Sequence, residues 1–216
     1  ERCRTVPNKV SDVMLINRII AAAACGAAIA SPASAALYLS AGASEAGLGL
    51  FEGSIAFSAT GETTGSLSVT LTNTSPAANG GWLTAFAFNV VDGVTLSLAG
   101  PDVGWNLLTN VSGNPYGDFD YGASISSSWQ GGGSPSQGVA VGSSLTTVFA
   151  VAASASVLAS LTDASFFDGS AGAAFVVRFR GFEDGNSDKV VGVPVPGPGA
   201  LALLGLAGLG ACRRRR

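Results

Sequence analysis

Apolar and polar residues alternate with a period of two along much of the chain between residues 36 and 192. The cleanest run is Ser66-Leu67-Ser68-Val69-Thr70-Leu71-Thr72, and Ser54-Ile55-Ala56-Phe57-Ser58-Ala59-Thr60 follows the same rule more loosely. Alternation of this kind predicts strands with one face in a core and one in water. Trp82–Val91 predicts a further strand, with Trp82, Thr84, Phe86, Phe88 and Val90 on one face and Leu83, Ala85, Ala87 and Asn89 on the other. Asp92-Gly93 is a hairpin signal, so Val94–Leu98 is expected to return beside that strand. Trp105–Val111, Val139–Ala153 and Ala173–Phe182 complete the strand set, and Val190-Val191 closes it as a short last strand. Residues 112–138 read as a long Gly/Ser loop carrying Tyr116, Phe119, Tyr121 and Trp129, and Val157–Phe167 as a short helical turn. With many short strands, no long amphipathic helix and no internal repeat, the expected fold is all-β, an antiparallel β-sandwich or jelly roll.

The pattern changes at both ends. Arg18 precedes the apolar run Ile19–Ile29, and Ala33-Ser34-Ala35 supplies small residues at a cleavage site. Residues 14–35 therefore read as a secretory signal peptide, cut before Ala36. Met14 is the expected start, with 1–13 an over-extended reading. A lipoprotein cut before Cys25 is disfavoured, because Ala22-Ala23-Ala24 lacks the usual leucine. At the other end Val193-Pro194-Val195-Pro196-Gly197-Pro198-Gly199 reads as a stiff spacer. It leads to the uncharged run Ala200–Cys212 and then to Arg213, Arg214, Arg215 and Arg216. As a helix, that apolar run of 13 residues would reach about 20 Å, against about 30 Å of hydrocarbon. It is short for a permanent span, and the arginines would stay on the cytoplasmic side.

Spacer, apolar segment and basic cluster in this order resemble the PEP-CTERM sorting signal of exosortase-dependent Gram-negative bacteria. Val193, Pro194, Val195 and Pro196 stand where that family has Val-Pro-Glu-Pro, with Val195 in place of the usual Glu. The resemblance covers residues 193–216. It implies export by the Sec machinery and signal peptidase, a precursor tethered to the inner membrane, trimming by an exosortase-type enzyme, and release to the cell surface or matrix. Residues 36–192 would be the passenger, and they share the flavour of such β-rich domains in Leu83–Asn89 and Phe175–Phe182.

Charge and composition narrow the passenger's chemistry. Between Ala36 and Gly192 stand three cations, Arg178, Arg180 and Lys189, against twelve carboxylates, a balance of −9. Nucleic acid is not an expected partner of so acidic a section. The chain has no His, and Cys3, Cys25 and Cys212 all lie outside the section. Ser-His-Asp and Cys-His catalysis are thereby excluded there, and no motif selects a carboxylate pair, so the section is expected to be non-enzymatic. A glycoside hydrolase built on two carboxylates is the least favoured alternative. A carbohydrate-binding module is the nearer one, with Tyr116, Tyr121 and Trp129 of the long loop, joined by Trp105, as a sugar-stacking surface. No cofactor is expected. Asp184-Gly185-Asn186-Ser187-Asp188 carries oxygen ligands at alternate positions, as in the first half of a calcium loop. Asp184, Asn186 and Asp188 are thus candidate calcium ligands, although Lys189 sits where that loop wants Gly. Asp118-Phe119-Asp120 has a weaker claim of the same kind. Arg178 and Arg180 share a strand face, with acids such as Asp163 or Asp168 as expected partners.

Overall fold

The computed structural model describes residues 36–99, 104–169 and 172–195. The expected signal peptide, with Ala33 and Ala35, lies outside the described residues, as do Pro196, the run Ala200–Cys212 and Arg213–Arg216. Among the described residues no helix is long and apolar enough to cross a membrane. The strands are β1 (Leu37–Ser44), β2 (Phe51–Ala59), β3 (Thr64–Asn73), β4 (Gly80–Phe88), β5 (Thr95–Leu98), β6 (Asn106–Ser112), β7 (Asp118–Ser124), β8 (Ser144–Ala152), β9 (Phe175–Phe182) and β10 (Ser187–Val195). All pair antiparallel in one ten-stranded sheet, in the order β5-β8-β3-β2-β1-β10-β9-β4-β7-β6. The sheet curls until its edge strands β5 and β6 touch. Its two halves face each other across a shared core, so the architecture is sandwich-like but built from one continuous, nearly closed sheet.

Alternation places the core as expected in β3. Leu67, Val69 and Leu71 are buried, while Ser66, Ser68, Thr70 and Thr72 point outward. The outward hydroxyls pair with those of β8, Thr70 with Thr146 at 2.9 Å and Thr72 with Ser144 at 2.8 Å. The centre of the core is aromatic. Phe88 meets Phe149 edge-on at 5.6 Å and Phe86 stacks on Phe175 at 6.0 Å, geometries that ring quadrupoles favour.

Strand β4 departs from simple alternation. Its register with β9 slips between Leu83 and Ala85, and an extra residue on one strand reverses which face the following side chains take. Leu83 therefore joins Phe86 and Phe88 in the main core, while Ala85 and Ala87 face a second cluster on the outside of the sheet. The hairpin expected at Asp92-Gly93 does not form. Strand β5 leaves β4 and pairs with β8 at the opposite edge, because both sides of β4 are already taken by β7 and β9. The expected loop 112–138 is also partly regular, since β7 lies within it and pairs with both β4 and β6. Strand β1, absent from the expected set, pairs with β2 and β10.

The last strand runs further than Val190-Val191. Strand β10 continues through Val193, Pro194 and Val195, which lie opposite Ser40, Leu39 and Tyr38 of β1. The start of the expected spacer is therefore sheet. Pro194 is tolerated because β9 pairs with β10 only as far as Val191, so the proline nitrogen has an open side on which no ladder hydrogen bond is required.

β10 also holds the turn that follows β1. Asp188 is fully buried and its carboxylate accepts from Ser44 Oγ (2.7 Å) and from the backbone N–H groups of Ala46, Leu48 and Gly49 (each 2.9 Å). Gly49 is needed there, because a Cβ would lie 2.6 Å from the Phe179 ring. Burial alone pushes the Asp188 carboxyl up, but the donors from Gly49, Ser44, Ala46 and Leu48 outweigh it and hold it below the ordinary carboxylate value. A depressed native value stabilises the fold at pH values above that of the unfolded carboxyl, about 3.9. That stabilisation is lost as pH falls below about 3.9 and through the native value. Asp188→Ala, which orphans the backbone donors, is expected to cost about 3–4 kcal/mol in denaturant unfolding at pH 7. The difference from wild type should shrink as pH is lowered below about 4; a variant equally stable at pH 7 would refute the anchor.

Candidate functional site

The outer face of β4, β7 and β9 carries a small apolar cluster, with Arg178 and Arg180 on β9 beside it. After Ser124 the chain runs as a strap, residues 125–138, back across this face to Val139, which bridges to Leu83. The strap is held by Trp129. Ala85 and Ala87 are small enough to leave room above β4, and the indole fills it with Leu108, Val111, Phe119 and Val176. Trp129 is only 5 % exposed, and its Nε1–H is buried without a partner. Next to it, Gln130 Oε1 accepts a long hydrogen bond from Arg178 Nη1 (3.4 Å), and the Gly132 carbonyl accepts from Arg180 Nη1 (3.2 Å). Both arginines, expected to meet carboxylates, thus reach uncharged oxygens of the strap. Gly131 permits the approach: its φ is +99°, and a Cβ would lie 2.6 Å from Arg180 Nη1.

Arg178 is 9 % exposed and its Nε–H is also buried without a partner. Burial pushes the guanidinium below its ordinary pKa, the neighbouring Arg180 acts in the same direction, and Glu45 opposes them. Lys189 lies directly across the ladder from Arg178 and pairs with Glu45 at 2.7 Å. The three cations of residues 36–195 are therefore neighbours on β9 and β10, a grouping invisible until the register of these strands is known.

The aromatic residues expected to form one stacking surface are divided between two faces. Trp129 is buried and Tyr116 packs beside it in the outer cluster, whereas Tyr121 and Trp105 pack against the main core. Tyr121 is two residues from Phe119 on β7, yet the two side chains join different clusters, so the regular alternation of a pleated strand is broken between them. A platform of Tyr116, Tyr121 and Trp129 does not form.

The calcium candidates also separate. Asp184 accepts from the N–H and side-chain amide of Asn186, both at 2.9 Å, in the exposed turn between β9 and β10. Asp188 is committed to the donors of residues 44–49. Its alternate spacing from Asp184 and Asn186 reflects a turn entering a strand, not a shared ligand centre. Among the described residues no three His, Cys, Asp or Glu side chains are placed to hold one metal ion.

Three clefts open at the β6–β7 end, of which that of about 380 Å³ is lined by Asp92, Thr109, Asp120 and Tyr121 among others. Another, of about 550 Å³, is lined by Asp92, Asp118, Asp120 and Asp168 with Asn89 and Asn110. Asp120 is tied in place there, accepting from Val90 N–H and donating its own N–H to Asn89 Oδ1, each at 3.0 Å. The alternation Asp118-Phe119-Asp120, with Phe119 in the outer cluster, is the trace of this cleft in the sequence. The third cleft, of about 320 Å³, lies between β6 and the strap and is lined by Thr109, Asn110, Ser112, Ser128, Trp129 and Gln130 among others. Asn110 borders all three clefts and has a φ of +51°, a conformation that asparagine tolerates better than most residues.

Val193, Pro194 and Val195, the expected sorting residues, end β10, and Ala36 immediately precedes β1. No family model and no curated protein matches the chain. Among solved structures the chain is similar to the yeast GGA1 GAE domain, at a TM-score of 0.31 and 9 % identity, over 68 % of this chain and 91 % of that one.

If Trp129 is a packing residue and not a surface platform, Trp129→Ala should cost about 3–5 kcal/mol in thermal or denaturant unfolding. Tyr121→Ala, by the same logic, should destabilise rather than act on a ligand surface. Loss below about 1 kcal/mol at Trp129 would return the indole to the surface.

Proposed function

We propose that this chain is an exported, non-enzymatic protein of a Gram-negative envelope or extracellular matrix. In this reading the signal peptide directs Sec export, and the PEP-CTERM-like tail holds the precursor at the inner membrane until an exosortase-type enzyme trims it. The acidic domain, read as a β-sandwich, has a structural or adhesive role. The order of proline-rich motif, apolar segment and arginine cluster at residues 193–216 carries this reading. The antiparallel pairing of Tyr38 with Val195 supports it. The expected signal-peptide cut before Ala36 and the expected tail, which begins at Val193, then lie at one end of the domain, although a trim directly after Val193 would remove Pro194 and Val195 from their pairing with Leu39 and Tyr38. A glycan-binding role is the second reading, favoured by the uncharged polar cleft between β6 and the strap.

Intact-mass measurement on the protein recovered from its producing cells tests the first reading. The expected species begins at Ala36, retains Val195 and lacks Arg213–Arg216; a species that keeps the arginine cluster would overturn trimming. The strand pairing adds a second expectation. A chain ending at Val195 should unfold like one with the tail intact, whereas a chain ending at Gly192 should lose about 1–3 kcal/mol through unpaired Tyr38, Leu39 and Ser40.

A further inference from the structure

Among the described residues four large apolar side chains are exposed, and three of them, Tyr38, Val193 and Val195, share one end of the β1–β10 pair. Tyr38 lies opposite Val195, and Ser40 opposite Val193. Residues directly opposite in an antiparallel pair, and those two apart on one strand, project to the same side. The three therefore form one patch on the outer face. An open cleft of about 410 Å³ continues it across β2 and β3, lined by Tyr38, Val195, Ser54, Thr70 and Thr72 with Glu52. The strands around it carry little charge. Of the twelve carboxylates between residues 36 and 192, β1, β2, β3 and β8 hold one, Glu52. The chain leaves the sheet at this same end, and only Pro196-Gly197-Pro198-Gly199 separates Val195 from the apolar run Ala200–Cys212.

We propose that this patch rests on the outer headgroup layer of the bilayer that holds the tail. The inference rests on the reading of residues 193–216 as a membrane tether, and length arithmetic carries it further. Five Cα–Cα steps from Val195 to Ala200 reach at most about 17 Å. Taken as a helix, the apolar run of about 20 Å falls about 10 Å short of the hydrocarbon core. With the arginines held at the cytoplasmic boundary, about 10 Å of the spacer is drawn into the hydrocarbon. About 7 Å remains, and one headgroup layer takes up about 5–7 Å of it. Val195 is thus brought to the membrane surface, with Tyr38 one strand spacing away, about 5 Å. Thinning of the bilayer or snorkelling of the arginines relaxes this pull but leaves Val195 within about 17 Å of the hydrocarbon. Tyrosine suits such a boundary, where its ring meets acyl chains and its hydroxyl meets headgroups. The scarcity of carboxylates around the patch spares it the repulsion that the acidic clefts would meet from anionic lipid.

The full chain is produced in Gram-negative cells, where its leader can be removed, and reconstituted into vesicles of phosphatidylethanolamine and phosphatidylglycerol. Flotation reports the tether. With Cys3, Cys25 and Cys212 replaced by Ser, a nitroxide is placed on Ser40→Cys, inside the patch, or on Ser112→Cys, at the far edge of the sheet. Collisions with oxygen, which concentrates in lipid, and with a nickel chelate, which stays in water, report the surroundings of each label. Nickel collisions at position 40 should fall several-fold below those at position 112, while oxygen collisions are retained or raised. Tyr38→Asp, at an exposed site, should return position 40 to the values of position 112 with an unchanged circular dichroism spectrum. Val195→Asp serves as a second variant should the first not fold. Protein that floats while position 40 is as open to nickel as position 112 would overturn the docking and leave the tether standing. Loss of collisions with both reagents at position 40 would place protein over the patch, the chain's own tail or a second copy, and overturn the lipid as occupant. Unchanged shielding in folded Tyr38→Asp or Val195→Asp protein would overturn the role of the patch. Protein that does not float would remove the tether reading and this inference with it.

Discussion

A single carboxylate organises the middle of the sheet. Asp188 sits on β10 between the two halves, and its donors come from the segment that leads from β1 into β2. The turn after β1 has no apolar side chain of its own pointing into the core before Leu48. Without an acceptor, the buried N–H of Gly49 and the partly buried ones of Ala46 and Leu48 would lose their partner, a state folded proteins avoid for buried groups. The charge, in turn, is stable in a buried position only because several donors converge on it. Each half of this arrangement makes the other tenable. Together they join the strands β1, β2 and β3 to β10, β9 and β4, and allow one sheet to wrap a shared aromatic core.

Charge is distributed by the same logic on the outside. Twelve carboxylates and three cations between residues 36 and 192 suggest, as a composition, a uniformly acidic surface. The pairing of β9 with β10 brings Arg178, Arg180 and Lys189 together instead. The strap crosses them and is fixed by an indole over Ala85 and Ala87. Small residues on β4 therefore do two things: they bring strap and sheet close together, and they bury a guanidinium that finds no carboxylate there.

The strands that read most clearly from the sequence are those whose partners leave one face in water. In β3, hydroxyl residues alternate with Leu67, Val69 and Leu71, and the expected and observed faces agree. The reading weakens where both faces are covered. In β4 almost every residue is buried, so periodicity carried no record of the bulge that turns Leu83 and Ala85 to opposite sides. Asp92-Gly93 does make a turn, but turn chemistry says nothing about which edge the next strand joins when both neighbours of β4 are already in place. Strand β1 was missed because Ala41, Gly42 and Ala43 give no apolar rhythm; its position follows from long-range pairing with β2 and β10. The site was less legible still. The spacing Asp184, Asn186, Asp188 imitates a cation loop only because a turn residue and a buried anchor happen to fall at alternate positions. The cluster of cations needed a register, not a motif, to be seen.

The neighbouring ends of β1 and β10 also decide how the domain would respond to force. Tyr38 and Val195 face each other at one end of an antiparallel pair. Tension between the two termini would open that pair like a zipper, one hydrogen bond at a time, and needs little load at any instant. Tension entering at Val195 and leaving through the strap follows another route. It runs lengthwise along β10 and crosses to β9 over five registered residue pairs, Ser187–Val191 against Arg180–Val176, which must slide together. The same small domain is thus soft when pulled by its ends and stiff when pulled between its exit strand and its outer face.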